Sequence, residues 1–398
     1  ATRITMTESK EYIQRNMSKS KEYIQKQFHR TVSETLKSHN LFPDGSRILI
    51  GCSGGADSLA LVKALQGVAK HRHMDWELGI ITIDHMIRPE SADELEGVRR
   101  WAKEWKVPFF SSAVDIPALA KERQESLETV GRDIRYIEFQ SVAGEEDYDY
   151  IAVAHHKDDQ VETILAHLIR GSGLKGLLGM DVIHQDYDHE VPIVRPLLDV
   201  TKAEIRKYLG TYNIVPFEDP SNDDITYTRN NIRHQVVPAL QAINPNIVET
   251  LCGFSGRMRD IDAYLEEQAK TVAKRVVTYS DEDLITIAQY KMAMNIATTD
   301  RLRPGEPIIT NDKGILLASI NRRELRKESI VMQTQVLQQV WSAVEAFTNV
   351  DVTLSATHIK QLLDIVKTGE PKTFTIKGIH MVAQCDTICV YENMENIR

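Results

Sequence analysis

Cysteine is scarce in this chain. Cys52, Cys252, Cys385 and Cys389 are the only four in 398 residues, too few and too scattered for a disulfide framework. Cys385 and Cys389 form a C-x3-C pair, but no histidine or further cysteine stands beside them at zinc spacing, so they read as small core residues, as does Cys52 at the end of an apolar run. No apolar run approaches the roughly 20 residues that a membrane span requires. The N-terminus is polar and lacks the apolar stretch of a secretory signal. Both absences point to a cytoplasmic protein with no membrane partner. A surplus of positive charge is also missing: 48 Lys and Arg stand against 57 Asp and Glu, for a net charge of −9. That argues against a protein that coats nucleic acid indiscriminately. It leaves room for a specific RNA partner, since phosphate binding depends on where Lys and Arg cluster. A third copy of the SKEYIQ segment (9–14 and 20–25) is absent, which excludes a solenoid.

What remains is an ordinary globular composition, 42% hydrophobic and 26% charged, long enough for two or three domains. The first 45 residues read as polar helix, an N-terminal extension ahead of a start near Met17, with Tyr23 to Leu36 able to pack on the domain behind it. From Arg47 short apolar runs alternate with amphipathic helices. Strands are expected at 48–50, 78–83, 108–114, 150–153 and 191–194, with helices at 93–105, 126–139 and 159–170 between them. This alternation predicts an α/β fold with a doubly wound parallel sheet over 46–235, ligands lying at the carboxyl ends of its strands. A helical linker follows at 236–280. A smaller α+β domain is expected over 281–398, with strands at 284–287, 315–319 and 373–376 and helices at 332–347 and 356–366.

Two constellations carry chemistry. Ser53-Gly54-Gly55-Ala56-Asp57-Ser58 lies between the first strand and a helix. Glycines there let the backbone approach a phosphate, and the helix N-terminus offers unpaired N–H groups to an anion. The Walker A spacing and its lysine are absent. The plain alternative is a strand–helix turn in which Asp57 caps the helix. The second constellation, Ala154-His155-His156-Lys157-Asp158-Asp159-Gln160-Val161-Glu162-Thr163, leaves the end of the fourth strand. Asp159, Glu162 and Thr163 share a helix face, and Ile164, Leu165 and Leu168 are expected to pack on another. Its carboxylates suit Mg²⁺ facing triphosphate oxygens. Zinc, or a capped helix start with solvated carboxylates, are the competing readings.

The hexapeptide resembles the SGGxDS signature of the PP-loop ATP pyrophosphatases. The segments Asp84 to Ser91 (DHMIRPES), Gly131 to Tyr136 (GRDIRY), Ala154 to Thr163, Arg170 to Met180, Arg195 to Leu198 and Pro216 to Pro245 resemble those of the tRNA(Ile)-lysidine synthetases. The resemblance is strong over 47–245 and weak beyond. It implies a ligase that uses ATP to join L-lysine to C2 of the wobble cytidine in an isoleucine tRNA with a CAU anticodon, releasing AMP and pyrophosphate. It further implies that Ser53 to Ser58 cradle the pyrophosphate and that Asp57 and Asp159 hold Mg²⁺. Arg132 and Arg135 would stabilise charge at the α-phosphate, His155 or His156 would accept a proton, and Ile83, Asp84 and His85 would neighbour adenine and ribose. Asn222, Arg229, Asn230 and Arg233 would hold tRNA backbone, the alternative being a loop that satisfies its own backbone. Longer members carry two C-terminal domains, so 281–398 is expected to be the first of them and to bind tRNA, with the module for the acceptor stem lacking. A homodimer is compatible with all of this. Two other functions compete: a PP-loop tRNA thiolation enzyme, against which the lack of a CxxC pair counts, and a non-catalytic tRNA-binding protein on the same fold.

Overall fold

The computed structural model describes residues 6–87, 90–184, 191–218, 228–279, 310–311, 314–348, 354–368 and 370–392. The described chain forms two compact units, one up to Gly256 and one from Arg257 onward.

In the first unit α1 (Met6–Ser38) leads to β1 (Arg47–Gly51), α2 (Ala56–Arg72), β2 (Glu77–Asp84), α3 (Ser91–Trp105), β3 (Phe109–Ala113), α4 (Ile116–Arg123), α5 (Leu127–Glu145), β4 (Tyr150–Ala152) and α6 (Lys157–Ile169). Then come α7 (Leu174–Leu177), β5 (Ile183–His184), β6 (Ile193–Val194), α8 (Lys202–Leu209), α9 (Thr228–Asn231), a π turn over Ile232–Val236, α10 (Val237–Ile243) and the start of α11 (Ile247–Val276). The sheet order is β3-β2-β1-β4-β6-β5. The first five strands are parallel, as the alternation predicts, and β5 adds an antiparallel edge. β1 and β4 are neighbours out of sequence order, so the chain reverses its winding direction there, and the crevice at their carboxyl ends is where such sheets take ligands.

Local chemistry sets the helix starts. Asp115 accepts from the Ala118 N–H to begin α4, Ser126 accepts from the Thr129 N–H to begin α5, and Thr201 with Glu204 closes a capping box on α8. Each such cap contributes about 1 kcal/mol. Ile48, Leu49 and Ile50 are wholly buried between the helical layers, and burying a side chain of that size stabilises by roughly 1.5–3 kcal/mol. The helix expected near Tyr23 to Leu36 is part of this core: Phe28, Val32 and Leu36 pack into it, and the Phe28 ring stacks on Tyr208 at 4.0 Å. His29 lies beside them, its Nε2 2.7 Å from the Tyr208 hydroxyl, over Gly67, where a Cβ would come within 2.1 Å of the imidazole.

The second unit is an antiparallel sheet, β10-β11-β12-β9-β7 in order, with β8 paired to β9. Its strands are β7 (Val277–Tyr279), β8 (Thr310–Asn311), β9 (Gly314–Asn321), β10 (Lys372–Ile376), β11 (Ile379–Gln384) and β12 (Thr387–Glu392). The helices α12 (Arg322–Leu325), α13 (Ile330–Thr348) and α14 (Ala356–Lys367) accompany it. Leu317, Ile320, Val340, Trp341, Leu362, Val366 and Ile388 build its separate core. Arg322 is fully buried and donates to the carbonyls of Cys385 (3.1 Å) and Glu370 (3.1 Å), which ties the tip of the β11–β12 hairpin to the body. Cys385 itself stands exposed at that tip with φ of 52°. The expected strand at 284–287 lies outside the described residues. No described helix is long and apolar enough to cross a membrane.

Candidate active site

The glycine loop follows β1 directly. Gly54 has φ of 79°, a conformation that glycine adopts without strain. A Cβ there would lie 2.5 Å from the Phe217 ring. Gly55 is the extended N-cap residue of α2 and receives no side-chain cap, so the first N–H groups of α2 face the crevice without a side-chain acceptor. Ser53 Oγ lies 3.5 Å from Ser58 Oγ, and Ser58 donates to the Gly55 carbonyl at 3.0 Å. Ala56 and Asp57 open the helix. Among the described residues Asp57 Oδ1 is buried and has no hydrogen-bond partner.

The strand end after β4 meets this loop through His156, 2% exposed. Its Nε2 stands 3.6 Å from Asp57 and 3.4 Å from Asp159. Its Nδ1 accepts the Asp159 N–H at 3.4 Å, while Asp159 Oδ2 accepts the His156 N–H at 3.0 Å, so the histidine and Asp159 close a capping box on α6. Burial disfavours a charged ring, but Asp57, Asp159 and Asp158 outweigh it and raise the imidazole's pKa. Asp159 is pushed up by burial and pulled down more strongly by His156 and Arg229, and rests at about 2.

Arg229 and Arg233, expected on the tRNA backbone, converge here. Arg229 donates to Glu162 (2.8 Å) and Asp159 (3.0 Å), and Arg233 donates to the same two carboxylates (2.6 and 3.3 Å). Glu162 is 2% exposed, and a carboxylate at that depth requires such partners. Thr163 turns back to the Asp159 carbonyl at 2.9 Å. Ile164 and Leu165 are buried, but Leu168 is exposed, and Leu165 packs with Val161, Ile232 and Val248. Gln160 clasps the backbone of Met180 through both ends of its amide. Asn230 lies on α9 between the two arginines, and Asn222 lies outside the described residues.

Facing this cluster across the strand ends, His155 accepts from Arg195 Nε at 3.3 Å through Nδ1. Burial, with Arg195, Arg229 and Arg132 nearby, keeps the ring neutral down to about 3. The neutral tautomer therefore carries its proton on Nε2, which suits His155 to donate a hydrogen bond rather than to accept a proton. Arg195 is 5% exposed, and its Nη1 reaches the Asp181 carbonyl at 2.7 Å. Arg132 lies over the Tyr136 ring at 5.2 Å. Ile83 and Asp84 end β2 and His85 follows directly, with Asp84 accepting the Met86 N–H at 2.8 Å. Arg135 Nη2 meets His85 Nε2 at 3.3 Å. Burial and that guanidinium hold His85 neutral down to about 4, and its Nδ1 is buried without a partner among the described residues. The strand ends thus bring together Asp57, Asp159 and Glu162, the neutral rings of His155 and His85, His156 with its raised pKa, and the arginines that pair with them.

The donor set can be tested against Mg²⁺. Among the described residues no group of three or more His, Cys, Asp or Glu side chains is arranged to hold a metal ion by itself. Mg²⁺ normally takes one or two carboxylates together with phosphates and water. Asp57, with an orphaned buried oxygen, fits that role, whereas both oxygens of Asp159 are already engaged by N–H donors. Sequence reasoning missed Arg195 as a site residue although it directly follows β6, and it missed Phe217 behind the loop. The position of Arg195 at a strand's carboxyl end was the available signal.

Comparison with known proteins accords with this geometry. Residues 22–240 match the PP-loop domain family. A tRNA(Ile)-lysidine synthase of Geobacillus kaustophilus is 36% identical over 251 residues, 62% of this chain and 52% of the relative. One from a Nostoc species is 27% identical over 322 residues, 80% of this chain and 84% of the relative. The chain spans about half the length of the Geobacillus and Bacillus relatives it matches. In fold, it is similar to a U34-tRNA thiolase from Methanococcus maripaludis solved with its [4Fe-4S] cluster, at a TM-score of 0.50 and 18% identity over 60% of this chain and 80% of that one. A match over more than half of the sequence, which takes in the glycine loop and the strand ends around it, shows that the chain belongs to the PP-loop domain family.

Proposed function

We propose that this chain forms lysidine: it adenylates the wobble cytidine of an isoleucine tRNA with a CAU anticodon and then attaches L-lysine. The observation that carries the reading is the junction at His156, which brings Asp57 of the glycine loop and Asp159 of α6 to one imidazole. The likeness to the lysidine synthases named above supplies the substrate class.

The steps follow from charge. The cytidine O2 attacks the α-phosphorus, the bond to the bridging oxygen breaks, and pyrophosphate leaves into the loop. There the N–H groups of the α2 N-terminus and the hydroxyls of Ser53 and Ser58 receive it. Bound Mg²⁺, held through Asp57, would neutralise charge on the phosphates. Arg132 and Arg135, with Arg195 behind them, stabilise the α-phosphate as charge shifts onto it. Neutral His155 and His85 add hydrogen-bond donors without becoming acids or bases. The lysine ε-amine, having lost a proton, then attacks C2. AMP leaves with the former O2, and a second proton departs from the new C–N bond. Adenylation is necessary because an unmodified base oxygen is a poor leaving group. Arg229, Asn230, Arg233 and Asn222 belong to the tract that would approach the tRNA, and the unit from Arg257 onward would bind the tRNA body. A cytoplasmic setting and a homodimer complete the proposal.

The deciding experiment incubates the protein with the tRNA, ATP and L-lysine, then measures the mass of the wobble nucleoside and the nucleotide products. Lysidine with equimolar AMP and pyrophosphate is expected. ADP with phosphate, an exchange of sulfur for oxygen when a sulfur donor is supplied, or an unmodified base would overturn it.

A further inference from the structure

We propose that Phe217 is a positioning residue of the pyrophosphate loop: wedged between two glycines, it holds Gly54 in its left-handed conformation and so sets the N–H groups of the loop. The inference rests on reading that loop as the pyrophosphate cradle, which the family assignment supports.

Three contacts converge on this residue. Its backbone N–H donates to the Gly54 carbonyl at 3.0 Å. Its ring fills the space where a Gly54 side chain would sit, 2.5 Å from the position of a Cβ. The adjoining tip of the ring fills the corresponding space at Gly97 on α3, where a Cβ would meet Cζ at 2.3 Å and Cε2 at 2.8 Å. Trp101, one turn further along α3, packs against the ring at a centroid distance of 5.2 Å. Val98 closes the floor, with its Cγ2 3.0 Å from the same Gly54 Cβ position. The ring therefore cannot move toward α3 without meeting Gly97, or toward the loop without meeting Gly54.

The reason for such a prop lies in glycine itself. Gly54 and Gly55 let phosphate approach closely, but they also leave the loop many conformations. A carbonyl fixed by the Phe217 N–H and a Cα backed by its ring select one of them before ligand arrives. Pre-selection matters because apparent affinity falls by the fraction of molecules in the competent state. Phe217 itself touches no phosphate; it acts through the loop.

Gly97 allows a test that separates this role from general packing. It sits inside α3, outside the loop, where alanine would ordinarily favour the helix by up to about 1 kcal/mol. Yet Gly97→Ala must displace the Phe217 ring. The experiment measures binding of pyrophosphate, and separately of ATP with Mg²⁺, by calorimetry on the full chain. It compares wild type, Gly97→Ala, Phe217→Leu, Phe217→Ala and the Gly97→Ala/Phe217→Ala double variant, with melting temperatures recorded for all. Gly97→Ala and Phe217→Ala are each expected to weaken pyrophosphate binding about tenfold, as a fall of the competent loop to roughly a tenth would require. Phe217→Leu should lie between wild type and Phe217→Ala. The double variant should bind no worse than Phe217→Ala, since the added methyl then has no ring to push. If Phe217→Ala does not fold, Gly97→Ala and Phe217→Leu decide alone. Folded variants that bind pyrophosphate within twofold of wild type would overturn the proposal, as would independent, multiplying effects in the double variant. Because no tRNA enters the measurement, the result stands apart from the lysidine reading. That reading would fail on the nucleoside mass, with pyrophosphate binding intact.

Discussion

Single side chains in the crevice differ in how much of their role a sequence can reveal. Asp57 stood out in the sequence because it closely follows Gly54 and Gly55, and the structure adds a buried oxygen left without a partner among the described residues. Asp57→Asn should therefore lower ATP–pyrophosphate exchange by two to three orders of magnitude, the scale of one lost contact to developing charge at about 2.7–4 kcal/mol. Exchange within a few-fold of wild type would remove Asp57 from phosphate chemistry. Arg229 and Arg233 stood out as arginines expected on tRNA backbone, but their pairing with Asp159 and Glu162 was not legible, since no local pattern links positions some 70 residues apart. His155 illustrates a further limit. Its neutrality depends on Arg195 and on burial, neither of which is encoded near it in the chain.

Elements with strong periodicity were readable, and those defined by pairing were less so. β1 to β4 and helices α3, α5 and α6 fall where alternating apolar runs place them. The β11–β12 hairpin was missed because its turn at Cys385 and Asp386 lacks the Asn-Gly or Asp-Gly signal, although Ile379, Met381 and Ala383 do alternate. At this scale two elements are fastened by charge. The clasp of α6 to the helical run after Thr228 predicts that Glu162→Ala will cost roughly 3–5 kcal/mol of stability, the usual cost of leaving buried partners unpaired. A cycle with Arg233→Ala, read by urea unfolding, should show coupling of about 1 kcal/mol or more, and additive losses would mean that the clasp is incidental. α1 is fastened to α8 through His29, which burial lowers to about 4. An unfolded histidine titrates near 6.5, so between the two values the unfolded chain binds the extra proton. Stability from this residue is complete above about pH 6.5 and falls as pH drops toward 4, by roughly 2 kcal/mol at pH 5. Urea midpoints of wild type and His29→Gln at pH 7.5 and 5 check this, and an equal pH dependence in both would exclude His29 as the cause.

For the chain as a whole, each unit has its own hydrophobic core, and only the first contains the glycine loop. The division of labour expected from sequence, chemistry first and RNA grip later, rested on motifs that end near Pro245. The second unit offered few such signals, because an antiparallel sheet of short strands shares its alternation with many surface segments. Saturating ATP should stabilise the first unit by about 2.7 kcal/mol at a hundredfold excess over Kd and leave a separate calorimetric transition of the second unit unmoved. A single transition that shifts as one would show that the two units unfold together.

The exposed hairpin tip has a practical consequence. Cys52 is buried with its thiol pKa raised, Cys252 is half-buried with its thiol pushed up to about 11, and Cys389 is half-buried on β12. Only Cys385 is exposed, and thiolate access governs alkylation. A maleimide dye at neutral pH will thus mark these residues first at Cys385, on a turn anchored from beneath by Arg322. Fluorescence anisotropy or energy transfer from that point would report, without any engineered cysteine, whether tRNA engages the second unit.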